Sequence, residues 1–171
     1  MAVLVGLFLA YGTRLQRNWL LVAATRFASI GYAIPGAVLA VGVVVPLAGL
    51  DNAVDALARR HLGISTGLLL SGTVAALVFG YVVRFLALAH GAVDASLARV
   101  TPSMDGAART LGHGPAATLW RVHLPLMRGS LLTAGILVFV DCMKELPLTL
   151  LLRPFNFETL ATGVHQLARA S

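Results

Sequence analysis

Three runs of mostly apolar residues, Ala28 to Leu50, Ser65 to His90 and Ser130 to Leu152, constrain this chain more than any other feature. Each is long enough to cross a hydrocarbon layer of about 30 Å, which takes roughly 20 helical residues. Lipid offers no hydrogen-bond partners, so such a run must satisfy its own backbone and therefore folds as a helix. Charged residues make up 12% of the 171, about half the roughly 25% of a soluble domain. Mean hydropathy is +0.85. A chain of this length can bury the core of one globular domain, but apolar runs recurring between charged connections argue against that. The expected fold is all-α, a multi-spanning transmembrane helix bundle. No internal repeat is evident.

A fourth apolar run, Met1 to Gly12, is too short to span. No basic residue precedes it, Arg14 and Arg17 follow it, and no A-x-A cleavage pattern is present, so it does not read as a signal peptide. We expect it to be the end of a span that begins earlier. After Arg153-Pro154, the residues Phe157, Leu160, Val164 and Leu167 recur at helical spacing. They predict a short amphipathic helix on the external face or opening a re-entrant segment. The chain therefore reads as part of a longer protein.

Thirteen basic residues stand against seven acids, a net charge of +6. On a soluble protein this balance would suggest nucleic acid; here the arginines lie mostly between apolar runs, where they report topology instead. Residues 13–27 hold Arg14, Arg17 and Arg26 with no acid, and residues 91–129 hold Arg99, Arg109, Arg121 and Arg128 against Asp94 and Asp105. Residues 51–64 are balanced, Asp51 and Asp55 against Arg59 and Arg60. The positive-inside rule makes the first and third connections cytoplasmic and the second external. Cys142 is a lone cysteine and no Cys/His cluster has zinc-site spacing, so neither a metal nor another cofactor is expected. His61, His90 and His165 fall near span ends, and His113 and His123 in the third connection.

Ionisable residues inside spans are costly, about 2.5–3.5 kcal/mol each at a helix centre. Arg84 lies near the inner end of its run, where its side chain can snorkel to the headgroups or take a pairing or gating role. Asp141, Lys144 and Glu145 form the one cluster deep in a span, and Asp141 is one turn from both others. On a continuous helix the three share a face that must point into the bundle or a water-filled path. Lys144 would offset the two acids, either as a structural ion cluster or along a translocation path. Two acids beside a lysine make a poor metal cage. Pro147 removes a backbone hydrogen bond just beyond, and Gly31, Pro35, Gly36, Gly42, Pro46 and Gly49 punctuate the first span in a way that lipid tolerates.

Between the second and third spans lies a polar, basic island, D-G-A-A-R-T-L-G-H-G-P-A-A-T-L-W-R-V-H-L-P, Asp105 to Pro125. Small residues at Ala107 and Ala108 allow close backbone approach, and Gly112 permits a turn that ends one helical piece. Pro115 can begin the next, and Leu119, Trp120 and Val122 supply apolar anchors. The spacing A-A-x-x-x-G-x9-V-x-L-P resembles the coupling loop of permease subunits from binding-protein-dependent ABC transporters, usually E-A-A-x-x-x-G-x9-I-x-L-P. Ala107, Ala108, Gly112, Leu124 and Pro125 match, and Val122 stands for the isoleucine. Gly106 replaces the glutamate; Asp105 offers an acid one residue earlier, turned by about 100°. The whole chain is similar to part of the second, C-terminal half of such a permease. The resemblance implies that residues 99–125, with Asp105, Ala107, Ala108, Leu111, Gly112, Val122, Leu124 and Pro125, engage a separate ATPase subunit. It further implies an external substrate-binding protein, another permease half or second copy, and location in the inner membrane. No G-x-x-x-x-G-K-[ST] is present, in keeping with a subunit that does no chemistry itself.

The run D-C-M-K-E-L-P-L-T-L-L-L-R-P-F-N-F-E-T-L-A, Asp141 to Ala161, is similar to a signature of ferric iron permeases. That resemblance implies ferric iron as the solute, with thiamine, a phosphonate or a polyamine as rivals on the same architecture. A secondary transporter using the acid–lysine cluster as an ion relay is a different class, and it would have no need of the loop. A purely structural membrane subunit would leave the intramembrane charges without a purpose.

Overall fold

The computed structural model describes residues 1–16 and 18–170. Arg17, one of the three arginines used above for orientation, lies outside the described residues. Nine α-helices and one π-helical turn follow one another among the described residues: α1 Ala2–Leu15, α2 Trp19–Ala33, α3 Gly36–Leu62, α4 Val74–Leu97, α5 Pro102–Thr110, α6 Pro115–Thr118, the π turn Leu119–His123, α7 Leu124–Met143, α8 Pro147–Leu152 and α9 Leu160–Ala170. The fold is all-α. Among the described residues three stretches, Gly36–Leu62, Val74–Leu97 and Pro115–Met143, are long and apolar enough to cross a membrane. Large side chains such as Phe79, Leu132 and Phe139 stand exposed along them, as a lipid solvent allows.

The helices fall where the apolar runs predict them, but their ends do not. The first run is cut at Ile34–Pro35, where Pro35 adopts extended backbone and caps α3. From there α3 continues twelve residues past Leu50, through most of the connection expected at residues 51–64. It ends on Gly63, whose φ of 70° is the left-handed conformation that glycine adopts without strain. Arg59, Arg60 and His61 in its last turn complement the helix dipole. The second run begins as loop: residues 65–73 are not helical, and α4 starts at Val74 and passes His90 to reach Leu97.

Two carboxylates on α3 explain that loop. Asp51, only 1% exposed, accepts hydrogen bonds from the backbone N–H groups of Leu69, Leu70 and Ser71 and from the Ser71 hydroxyl. Asp55 accepts from Ser65 Oγ at 2.8 Å and Thr66 N at 2.7 Å, and pairs with Arg59 one turn on. Charged acceptors satisfy donors that a helix would otherwise have used, so the segment does not need to be helical. Asp51→Ala should therefore leave at least three backbone donors without their acceptor, at about 1–3 kcal/mol for each that stays dry. Limited proteolysis should then cut residues 64–72 at least tenfold faster than in the wild type.

The expected span Ser130 to Leu152 is likewise two helices. α7 stops at Met143, and α8 begins at Pro147 in the first-turn position where a missing N–H is harmless. Had the helix run on, the Met143 carbonyl would have faced Pro147 and found no donor.

The chain forms two compact units, Met1–Tyr32 with Phe85–Val140, and Ala33–Arg84 with Asp141 onward. In the first, Leu7, Ala10 and Tyr11 of α1 pack with Val93, Leu97, Val100, Leu119 and Met127. Gly6 brings α1 close to α4: a Cβ there would lie 3.0 Å from the His90 backbone nitrogen. In the second, Leu39, Ala40 and Val43 of α3 pack with Leu77 of α4 and with Leu148 and Leu152 of α8. The predicted C-terminal amphipathic helix is α9; Phe157 packs on the second core, while Leu160, Val164 and Leu167 are exposed.

Candidate functional site

The loop residues singled out in the sequence form a helix, a turn and a second helical stretch. α5 starts on Pro102 and ends where His113 N donates to Ala108 O and Gly112 N to Arg109 O, with Gly112 at φ 78°. This paired closure uses glycine because a Cβ is disfavoured in that conformation. Met104 (40% exposed), Ala107 and Leu111 (76%) recur at i, i+3 and i+7, an apolar stripe left uncovered on a short helix. Ala108 faces the other way and is buried against its own unit. The two alanines thus do different things: one widens the exposed face and the other lets α5 sit close to the chain behind it.

The second stretch also splits by face. Leu119 is buried in the first core, Val122 and Leu124 are half-buried, and Trp120 and Pro125 are exposed. Of the three expected apolar anchors, Leu119 holds the loop to its own unit, Val122 is half-buried and Trp120 stands exposed. Pro125 has a local consequence as well. Its ring would crowd the carbonyl four residues back, and the backbone widens ahead of it into a π turn, with Leu124 N bonding Leu119 O.

Asp105 faces inward. Arg14 of α1 donates to its Oδ2 from Nε at 3.0 Å and from Nη2 at 2.9 Å, and His123 Nε2 lies 2.6 Å from its Oδ1. Arg14 also donates to the carbonyls of Leu97 and Val100 at the end of α4. Burial acts to raise the Asp105 pKa, but the hydrogen bonds and charges of Arg14 and His123 outweigh it and hold the carboxyl below its ordinary value. His123 is 1% exposed, with the Tyr11 ring edge-on to it, and the Tyr11 hydroxyl donates to Pro115 O at 2.7 Å. Neither Arg14 nor His123 is legible from the sequence as a partner of Asp105: the separations are 91 and 18 residues, and no periodicity links them.

The intramembrane cluster divides into two pairs. Lys144 Nζ lies 2.8 Å from Asp141 Oδ1, and the Lys144 side chain is 71% exposed. Glu145 turns away from both and pairs with Arg84 at 2.7 Å, its side chain only 9% exposed. The shared face required an unbroken helix, and α7 ends two residues before Glu145. Arg84 does not snorkel; its Nη1 donates to Ile34 O at the α2–α3 break. Glu145 in turn accepts from Leu148 N at the start of α8 and lies so close to Gly36 that a Cβ there would strike its Oε1. One ion pair therefore ties together two helix breaks within this unit.

Residues 2–160 match the family described as binding-protein-dependent transport system inner membrane component. The chain belongs to that family. It is a permease subunit of the inner membrane, and the three membrane-length helices among its described residues make it multi-pass. Among curated proteins, the Fe(3+)-transport system permease protein FbpB 2 of Haemophilus influenzae is 25% identical over 164 residues. The match takes in 96% of this permease and 29% of that relative, so the chain spans under a third of its length.

Proposed function

We propose that this permease lines part of the translocation path of an ATP-driven importer for ferric iron. α5 docks on the ATPase, and an external binding protein delivers the solute. The observation that carries the docking is the uncovered stripe of Met104, Ala107 and Leu111 on a short helix between two membrane-length stretches. Ferric iron is supported by the Asp141–Ala161 run and by the Haemophilus relative, named as an Fe(3+)-transport permease. The burial of Glu145 against Arg84 weighs against an ion-relay transporter, since a carboxylate held by an arginine is poorly placed to exchange protons.

Uptake of labelled ferric iron by vesicles holding the whole transporter tests the solute. Iron should compete with itself and not with thiamine, phosphonates or polyamines; uptake of one of those in place of iron reassigns the substrate. Orientation is tested in a Cys142→Ser background. An impermeant thiol reagent added outside should label Arg60→Cys and spare Thr110→Cys, at a ratio above tenfold. The reverse pattern places α5 on the wrong side for an ATPase.

A further inference from the structure

We propose that Asp105 is a positioning residue that fixes α5 to its own spans, so that movement of the docked ATPase reaches them. The proposal rests on the docking of α5 set out above and adds the route by which force leaves it. In the family motif the acid stands at the position of Gly106, which is exposed and where an added Cβ would meet only open space. Here the acid lies one residue earlier, on the face of α5 that points back into the protein.

Three elements meet at its carboxylate, α5 itself, α1 and the π turn, and α4 is reached through Arg14. Oδ2 receives Arg14 of α1; that same guanidinium holds the Leu97 and Val100 carbonyls at the end of α4. Oδ1 receives His123 of the π turn that leads into α7. An ionised carboxylate only accepts, so His123 must carry its proton on Nε2. His123 Nδ1 is then buried with no hydrogen-bond partner among the described residues, a cost that an apolar residue there would avoid. The arrangement keeps that cost and in return joins α5 to the π turn. Pairs of this kind, charge-assisted and with side chains only 1% to 21% exposed, do not stretch freely. A displacement of α5 is passed to α1, α4 and α7 together.

The test uses the intact transporter in proteoliposomes, reading solute moved per ATP hydrolysed together with ATPase capture. Asp105→Asn should lower that ratio at least tenfold while capture changes less than twofold, because the Met104–Ala107–Leu111 stripe is untouched. The ratio is taken per working transporter, so a lower yield of the variant does not blur it. Adding Gly106→Glu to Asp105→Asn, which moves the acid to the family's position, should not restore coupling. Arg14→Lys, which keeps the charge but loses the fork, should lower the ratio in the same direction. Rescue by Gly106→Glu, loss of capture in Asp105→Asn, or an unchanged ratio in either single variant overturns the proposal. A wild-type chain that captures no ATPase removes the docking itself, and this proposal with it; normal wild-type capture with an unchanged ratio removes this proposal alone.

Discussion

Gly112→Asp is expected to abolish ATPase association and solute uptake while the permease still inserts in the membrane at close to wild-type level. The separation of the two effects follows from the backbone and the space around it. Gly112 has φ 78°, so any side chain there is strained, by about 1–2 kcal/mol and less for aspartate, which tolerates this conformation. A Cβ at Gly112 meets nothing within 4 Å in its own chain, so no clash compounds that strain. The surface beside Leu111, by contrast, is where a partner would have to close on α5. A carboxylate buried there without a counter-charge behaves as a lost interface hot spot, at least 2 kcal/mol or about thirtyfold in affinity. Gly112→Asn has the same backbone tolerance without the charge and should fall between the two. The measurement is co-purification of the ATPase with membrane-inserted permease, beside uptake in the same vesicles. Normal co-purification of the aspartate variant would mean that the ATPase does not seat on this turn.

The second large effect belongs to Arg84 and Glu145. Arg84→Met leaves Glu145 buried without its counter-ion, and breaking such a pair from one side costs about 3–5 kcal/mol. It also removes the donor to the Ile34 carbonyl, so both helix breaks loosen at once. The expected result is a fall in folded permease of more than a hundredfold in the folding equilibrium, seen as loss of monodisperse protein in detergent. Adding Glu145→Gln should recover most of it, because a neutral amide no longer needs the arginine. A double-mutant cycle reads the coupling directly, and additive losses would show that the two side chains act separately. Lys144→Met, acting on a side chain largely exposed, should cost under about 1 kcal/mol. If Lys144→Met were instead the more damaging of the two, the exposed pair with Asp141 would be the one that holds the unit together.

Hydropathy, arginine placement and motif spacing made the class legible: an all-α, multi-pass membrane subunit with a polar loop of the permease type. Those signals work because they are local sums. A run of apolar residues becomes a helix in lipid whatever lies elsewhere in the chain, and the A-A-x-x-x-G spacing constrains one helix and its turn. Gly112 at positive φ and Pro115 opening α6 fall where their own backbone chemistry requires.

What the sequence alone could not decide depended on partners distant in the chain. Ser65 to Thr73 counted as span by hydropathy, yet Asp51 and Asp55 supply acceptors that make a loop the better solution. Asp141, Lys144 and Glu145 shared a face only on a helix that Pro147 interrupts, and Arg84, 61 positions from Glu145, took the buried acid. Asp105 looked available to another protein because its spacing along α5 was visible and Arg14 was not. A side chain's direction follows from its own helix, but what it meets there is set by tertiary packing.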